Sequence, residues 1–201
     1  MHLFVIRHAQ PNDESETGGD GDPPLSELGH AQAAAIGRFL EEEHVDHVVA
    51  SPMARARQTA EPTATRLGIE IEFDDDLKEA GWQLGTYRRT EENLDHFIEK
   101  LGENPDFLFE PEGRKAFTER VVGSFTRIAE SNPSRNVAVF CHGMVTAALI
   151  GWVLDKPPTE DLFQPHYSGL SRIQASPGRG LWSVRSFNET MHLYFEMQRP
   201  S

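Results

Sequence analysis

The chain has 201 residues, with 19 Lys plus Arg against 32 Asp plus Glu, for a formal net charge of −13. At 38% hydrophobic and 25% charged it is neither a disordered nor a membrane-embedded composition, and its length suits one domain with a sizeable core. The negative balance speaks against a general nucleic-acid binder and against a polybasic membrane-surface protein, but leaves open a small anionic substrate, because the local field decides binding.

Leu3 to Ile6 is a short apolar run of strand length, followed directly by Arg7 and His8. Pro11 to Pro24 is rich in Gly, Pro and acids and reads as a solvated loop. Ser26 is a natural N-cap for a helix over about 27–43, with Leu28, Ala31, Ala35, Ile36 and Phe39 at helical spacing. A second strand, His47 to Ala50, stops at Ser51-Pro52. A second helix over about 53–67 closes at Gly68, with Pro62 inside it as a kink or irregular turn.

Glu70 to Phe73 alternates as a third strand. A long polar region follows, with helical pieces near 91–101 and 112–130. Asn136 to Cys141 is a strand leading into a helix over about 144–154, and Ser168 to Ala175 and Leu181 to Phe187 are strands around the Ser176-Pro177-Gly178 turn. Residues Val137 to Leu154 are apolar enough to resemble a membrane span, but His142, Gly143, Thr146 and Gly151 interrupt them, and a strand–turn–helix inside a core is expected. The alternation predicts an α/β layer fold with a largely parallel sheet. The expected organisation is a single domain over 1–201 with a variable cap or substrate region at about 80–115.

The one cysteine, Cys141, excludes an internal disulfide and any zinc site built on Cys pairs. It is read as a buried strand residue, and it fits a reducing, cytoplasmic setting. The first residues lack the basic and apolar regions of a signal peptide.

Chemistry concentrates at strand ends. Arg7-His8 follows the first strand, Arg55 lies just past the second, and His142-Gly143 follows the strand ending at Cys141. Open parallel sheets bind ligands at the carboxyl ends of their strands, so two arginines and two histidines are directed to one crevice. Guanidinium forks match phosphate oxygens, and imidazole can attack phosphorus. Neighbouring arginines keep a histidine neutral, and helix starts after the second and fourth strands offer N–H donors to phosphate. A leaving alkoxide needs a proton, for which Glu79 is the best-placed acid, with Glu72 and Asp76 as competitors. Trp82, Tyr87, Arg88 and Arg89 either line a substrate mouth beside Glu79 or are ordinary loop packing. His166 and Tyr167, and Arg114 and Lys115, are weaker candidates of the same kind.

The ordered set Val5-Ile6-Arg7-His8-Ala9, Leu25 to Ala33, Ser51 to Ala60, Leu77-Lys78-Glu79 and Phe140-Cys141-His142-Gly143 resembles the histidine phosphatase superfamily, in its phosphoglycerate mutase-like branch, over about residues 1–150. Asn188 and His192-Leu193 resemble that branch too. The resemblance implies a three-layer α/β/α sandwich with a mostly parallel central sheet. It makes His8 the phosphoryl-accepting nucleophile, Arg7 and Arg55 the phosphate clamps, His142 the second pocket histidine beside Gly143, and Glu79 the proton donor and later base. It implies no metal and no organic cofactor.

Three departures stand out. Ala9 replaces the family's usual glycine, which is tolerable unless the position needs φ > 0. The position where the family commonly carries a phosphate-holding asparagine is Glu14, with Asn12 close by as its substitute. Glu112-Gly113-Arg114-Lys115 stands where many members carry Gly-Glu-Ser.

The expected function is a metal-independent phosphomonoesterase working through a phosphohistidine on a small phosphorylated substrate, with Trp82 and Arg88 as substrate contacts and no nucleic-acid or membrane partner. A phosphoglycerate-type mutase and a non-catalytic phospholigand-binding module are the alternatives.

Overall fold

The computed structural model describes residues 1–13, 21–85, 87, 99–100, 102–104, 106–156 and 164–197, without the side chains of the last three. Its strands are β1 (His2–Arg7), β2 (His47–Ala50), β3 (Ile71–Phe73), β4 (Asn136–Cys141), β5 (Leu170–Ser176) and β6 (Leu181–Glu189). Its helices are α1 (Glu27–Glu41), α2 (Ala54–Leu67), α3 (Arg114–Ser131), α4 (Gly143–Val153) and α5 (Met191–Met197). They form one six-stranded sheet in the order β3-β2-β4-β1-β5-β6. The pairs β3–β2, β2–β4 and β4–β1 are parallel, whereas β5 runs antiparallel to both β1 and β6.

Side-chain alternation along β1 shows why helices cover both faces. Leu3 and Val5 enter a cluster with Phe117, Val121 and Phe125 of α3 and Val145, Ala148 and Leu149 of α4. Phe4 and Ile6 point the other way, into a cluster with Ile36 and Leu40 of α1 and Ala60 of α2. The result is the expected three-layer sandwich. The apolar run 137–154 divides at His142 into β4 and α4, and no helix among the described residues is long and apolar enough to cross a membrane.

Most element bounds agree with the sequence reading to within two residues. Pro62 lies inside an unbroken α2, where Gly37 of α1 packs against it. The helix expected near 91–101 falls almost wholly outside the described residues. The sequence reading carries no helix after the last strand, where α5 closes the described chain.

The same sheet sets the register of the site. Arg7 pairs with Cys141 and Ala50 with Phe140, so the residues that follow emerge side by side at one edge. The His8 amide donates to Cys141 O (2.8 Å) and the Ser51 amide to Phe140 O (2.9 Å). Beyond His8 the chain is tied to the start of α1. The N-cap Ser26 hydroxyl accepts from the Gly29 amide (3.0 Å) and donates to the Gln10 side-chain oxygen (2.9 Å). The approach is so close that a Cβ on Gly29 would lie 2.0 Å from Gln10 O.

Gly29→Ala should therefore lower stability by about 1–3 kcal/mol, because backbone must shift to admit the methyl group. Gly178→Ala, whose Cβ would meet nothing within 4 Å, should leave the denaturation midpoint unchanged. Chemical denaturation of the two variants checks the contrast.

Candidate active site

His8 is 2% exposed, and its Nδ1 lies 2.8 Å from the carbonyl oxygen of Ala9. A carbonyl only accepts, so Nδ1 carries the proton and Nε2 keeps its lone pair. Arg55 Nε donates to that Nε2 at 3.3 Å. Burial, then the charges of Arg55 and Arg7, hold the imidazole well below its ordinary pKa, against the raising effect of the Ala9 carbonyl. The backbone at Ala9 is fixed by the Thr59 hydroxyl, which accepts from the Ala9 amide (2.9 Å) and donates to Arg55 O (2.6 Å). Ala9 is buried and is not among the positive-φ residues, so the methyl group in place of glycine carries no backbone strain.

The two arginines are buried, Arg55 at 2% exposure and Arg7 at 6%. Arg7 Nη1 donates to Pro165 O (2.7 Å), and its guanidinium carbon lies 4.1 Å from the Tyr167 ring centroid. Arg55 Nη1 meets Asp22 Oδ1 at 3.1 Å, and its guanidinium carbon lies 4.7 Å from the Tyr87 ring centroid. The hydroxyls of Tyr87 and Tyr167 are 3.4 Å apart, and the Tyr167 ring centroid is 5.6 Å from that of His8. Two tyrosines thus arch across both guanidiniums.

The loop beneath Tyr167 is pinned by Asn188, whose side-chain oxygen accepts from the His166 amide (2.8 Å). A Cβ on Gly169 would lie 2.3 Å from that oxygen. Asn188 itself has φ 57, a left-handed conformation that asparagine tolerates.

His142 is fully buried, with its ring centroid 5.2 Å from that of His8. Its Nε2 is 2.8 Å from the Ser51 hydroxyl, and its Nδ1 is buried without a hydrogen-bond partner among the described residues. Burial first, then Arg55, His8, Arg7 and Arg120, keep it well below the ordinary imidazole pKa. Gly143 opens α4 between clamp and acid: a Cβ there would sit 3.6 Å from Arg7 Nε and 3.8 Å from Glu79 Oε2, ordinary contact distances.

Glu79 accepts from the Ala80 amide (Oε1, 3.0 Å) and the Met144 amide (Oε2, 3.2 Å). Burial raises its pKa above the ordinary carboxylate value, outweighing those two hydrogen bonds and the charges of Arg55 and Arg7. Its competitors lie elsewhere: Glu72 pairs with His47 (2.8 Å) and Asp76 with Arg127 (2.6 Å).

Other expectations fare differently. Helix N-termini are expected from the sequence to offer donors to phosphate. One amide at each start has a carboxylate partner: the Met144 amide at the start of α4 donates to Glu79, and the Ala54 amide at the start of α2 donates to Asp22 (2.8 Å). Asp22 lies in the segment read as a solvated loop, and only a tertiary contact reveals its role. Glu14 and Arg88 lie outside the described residues. The Asn12 amide donates to Pro24 O (2.8 Å), and no hydrogen bond joins its side chain to the clamp among the described residues. Trp82 is partly exposed and stacks under Lys78 Nζ (4.4 Å from the ring centroid), with no ring contact to the clamp among the described residues. Cys141 is fully buried, and burial pushes its thiol up to about 12, so it is a poor nucleophile. No three His, Cys, Asp or Glu side chains gather as a metal site among the described residues.

A neutral imidazole whose unprotonated nitrogen faces one guanidinium, a second guanidinium nearby and a buried carboxyl with a raised pKa have the chemistry of a phosphoryl-transfer site on an α/β/α scaffold. The model of the histidine phosphatase superfamily (branch 1) matches residues 3–190, and the chain belongs to that family. An uncharacterized phosphatase, PhoE, of Bacillus subtilis is 25% identical over 193 residues, 95% of this chain and 96% of the relative. A probable phosphoglycerate mutase, GpmB, of Salmonella arizonae is 23% identical over 205 residues, 96% of this chain and 95% of the relative. In fold, the phosphoserine phosphatase of Entamoeba histolytica, solved as a mutant with phosphoserine, superposes with a TM-score of 0.77 at 21% identity, covering 96% of this chain and 98% of that one.

With His8 as nucleophile and Glu79 as proton donor, the roles the resemblance implies, the two pKa directions fix the sign of the pH dependence. His8 must be neutral to attack, and its lowered pKa places the acid limb of kcat/KM well below about 6.5. Glu79 must be protonated to donate, so activity falls as pH rises through its raised pKa. Once the substrate's own ionisation near about 6 is divided out, Glu79→Gln should abolish the alkaline limb. Arg55→Ala should move the acid limb upward. Steady-state pH profiles of the three proteins check both.

Proposed function

We propose that the protein is a metal-independent phosphomonoesterase that passes the phosphoryl group through His8. The observation that carries this reading is the Nδ1–H to Ala9 O hydrogen bond, which leaves Nε2 as an unprotonated nucleophile 3.3 Å from the Arg55 guanidinium. In the first step Arg55 Nε–H turns from His8 Nε2 to the phosphoryl oxygens, and the freed Nε2 attacks phosphorus while Glu79 gives its proton to the leaving oxygen. In the second, Glu79, now a carboxylate, takes a proton from water as that water attacks the phosphohistidine, which frees His8 and inorganic phosphate.

Arg7, Arg55 and the buried Nδ1 of His142 stabilise charge on the equatorial oxygens, next to Gly143. For Arg55 this means exchanging Asp22 for phosphate, or sharing its donors between them. Asn12, Trp82 and Arg88 are proposed as outer contacts for the phosphate and the organic group. Trp82 and Arg88 belong with residues 80–115, read as the substrate cap.

The substrate is a small phosphomonoester, in line with the phosphoserine bound to the related fold. The single, buried, weakly acidic Cys141 fits a reducing, cytoplasmic setting. The mutase reading is favoured by relatives and a solved structure of the same fold that are named as phosphoglycerate mutases. It would require a pocket that keeps water from the phosphohistidine.

Purified protein should cleave nitrophenyl phosphate in excess EDTA, and His8→Ala should lose turnover by roughly a thousandfold or more while retaining its fold. Retained turnover in that variant would overturn the reading. With 3-phosphoglycerate, release of inorganic phosphate supports a phosphatase, whereas isomerisation without release supports a mutase. Phosphate binding with no acid-labile phosphohistidine would leave a binding module.

A further inference from the structure

The acid Glu79 stands on a short turn, and that turn is gripped from outside the pocket. Arg120, midway along α3, uses all five of its N–H donors. Nε and Nη2 form a fork on Glu112, at 2.8 Å to Oε2 and 2.6 Å to Oε1. Nη1 donates to the carbonyls of Asp76 and Lys78, both at 2.8 Å, and Nη2 reaches the carbonyl of Glu79 itself at 3.4 Å. The guanidinium lies over the Phe117 ring, 4.8 Å from its centroid. The Arg120 and Glu112 side chains are only 17% and 13% exposed, so this pair is shielded from solvent rather than a loose surface ion pair.

Those five donors are spent away from His8, Arg7 and Arg55. Three carbonyls within four residues, ending at the acid, are held by one planar group whose own orientation is set by Glu112. Neither a lysine, with its single nitrogen, nor a neutral side chain can span that set. From the front, the Glu79 carboxyl is held by the Ala80 and Met144 amides. The backbone grip supplies the remaining constraint on where its proton can be delivered.

We propose that Arg120, aimed by Glu112, is a positioning residue that sets Glu79 for proton transfer to the leaving oxygen; this rests on Glu79 being the general acid. Positioning makes a demand that mere support of the fold does not: loss of the grip must harm substrates in proportion to how badly their leaving group needs a proton. A dinitrophenolate leaves without help, whereas an alkoxide does not.

The test measures kcat/KM, which reports transfer to His8, for dinitrophenyl, phenyl and alkyl phosphates with wild type, Glu79→Gln, Arg120→Lys and Glu112→Gln. Arg120→Lys should lose about 10–100-fold on the alkyl ester and less than about 3-fold on the dinitrophenyl ester, a fraction of the 10²–10⁴ available to general acid catalysis. Glu112→Gln should show the same ordering with a smaller loss, and it carries the test if Arg120→Lys does not fold. Inhibition by inorganic phosphate should stay within about 2-fold of wild type, because the clamp is untouched.

If Glu79→Gln shows the leaving-group dependence but the Arg120 and Glu112 variants lose activity equally on all esters, the positioning role is overturned and the acid stands. The positioning role also falls if phosphate inhibition weakens in step with activity, since Arg120 would then act as a pocket charge. If Glu79→Gln itself shows no leaving-group dependence, the assignment of Glu79 fails first, and the role of Arg120 with it.

Discussion

Two guanidiniums buried beside a neutral imidazole impose the constraint to which the rest of this site answers. Arg7 and Arg55 are almost wholly removed from water, and an uncompensated buried cation costs several kcal/mol. The structure spreads the compensation over different chemistries. Arg7 receives a carbonyl oxygen and the face of Tyr167. Arg55 receives the Asp22 carboxylate, the face of Tyr87 and the lone pair of His8. None of these cancels the cationic field at His8 and His142, and that field joins burial in keeping both imidazoles neutral. The same packing that gathers cationic charge for an anion therefore keeps the proposed nucleophile neutral.

Carboxylates take a similar part at the helix ends. The first turns of α2 and α4 open into the site with amides pointing forward. Asp22 accepts from one and Glu79 from the other. For Glu79 the consequence is a balance: the amides and arginines favour the charged form, yet burial outweighs them and the carboxyl retains its proton more readily than an exposed one. Its placement is then fixed from two sides, by amides at its carboxyl oxygens and by Arg120 along its backbone.

Much of this is legible in the residues. The apolar runs ending in Arg7-His8, Ala50-Ser51 and Cys141-His142 announce buried parallel strands whose ends carry chemistry, and the ordered spacing of those ends is a strong family signal. Local chemistry also marks the N-cap at Ser26 and the left-handed stop at Gly68. Other features carry no local mark. Asp22 looks like an ordinary loop residue, and Tyr167 like a weak candidate beside a substrate mouth, until the chain places them on Arg55 and Arg7. Arg120 looks like a solvated position on an amphipathic helix until α3 packs it against carbonyls some forty residues earlier in the chain. The last helix is hidden because seven residues offer too little periodicity to separate it from the strand before it.

The sequence by itself determined the layer architecture, the strand ends that matter and the chemical types gathered there. Strand periodicity, caps and the placing of Arg and His after apolar runs are local properties, readable one segment at a time. Only the tertiary structure decided which nitrogen of His8 carries the proton, which carboxylates occupy the helix starts, which tyrosines cover the arginines and what holds the acid in place. Each of those depends on hydrogen bonds and ring contacts a few ångströms long between residues far apart in the chain. No local pattern encodes such distances, because they exist only once the sheet has set the register of its strands.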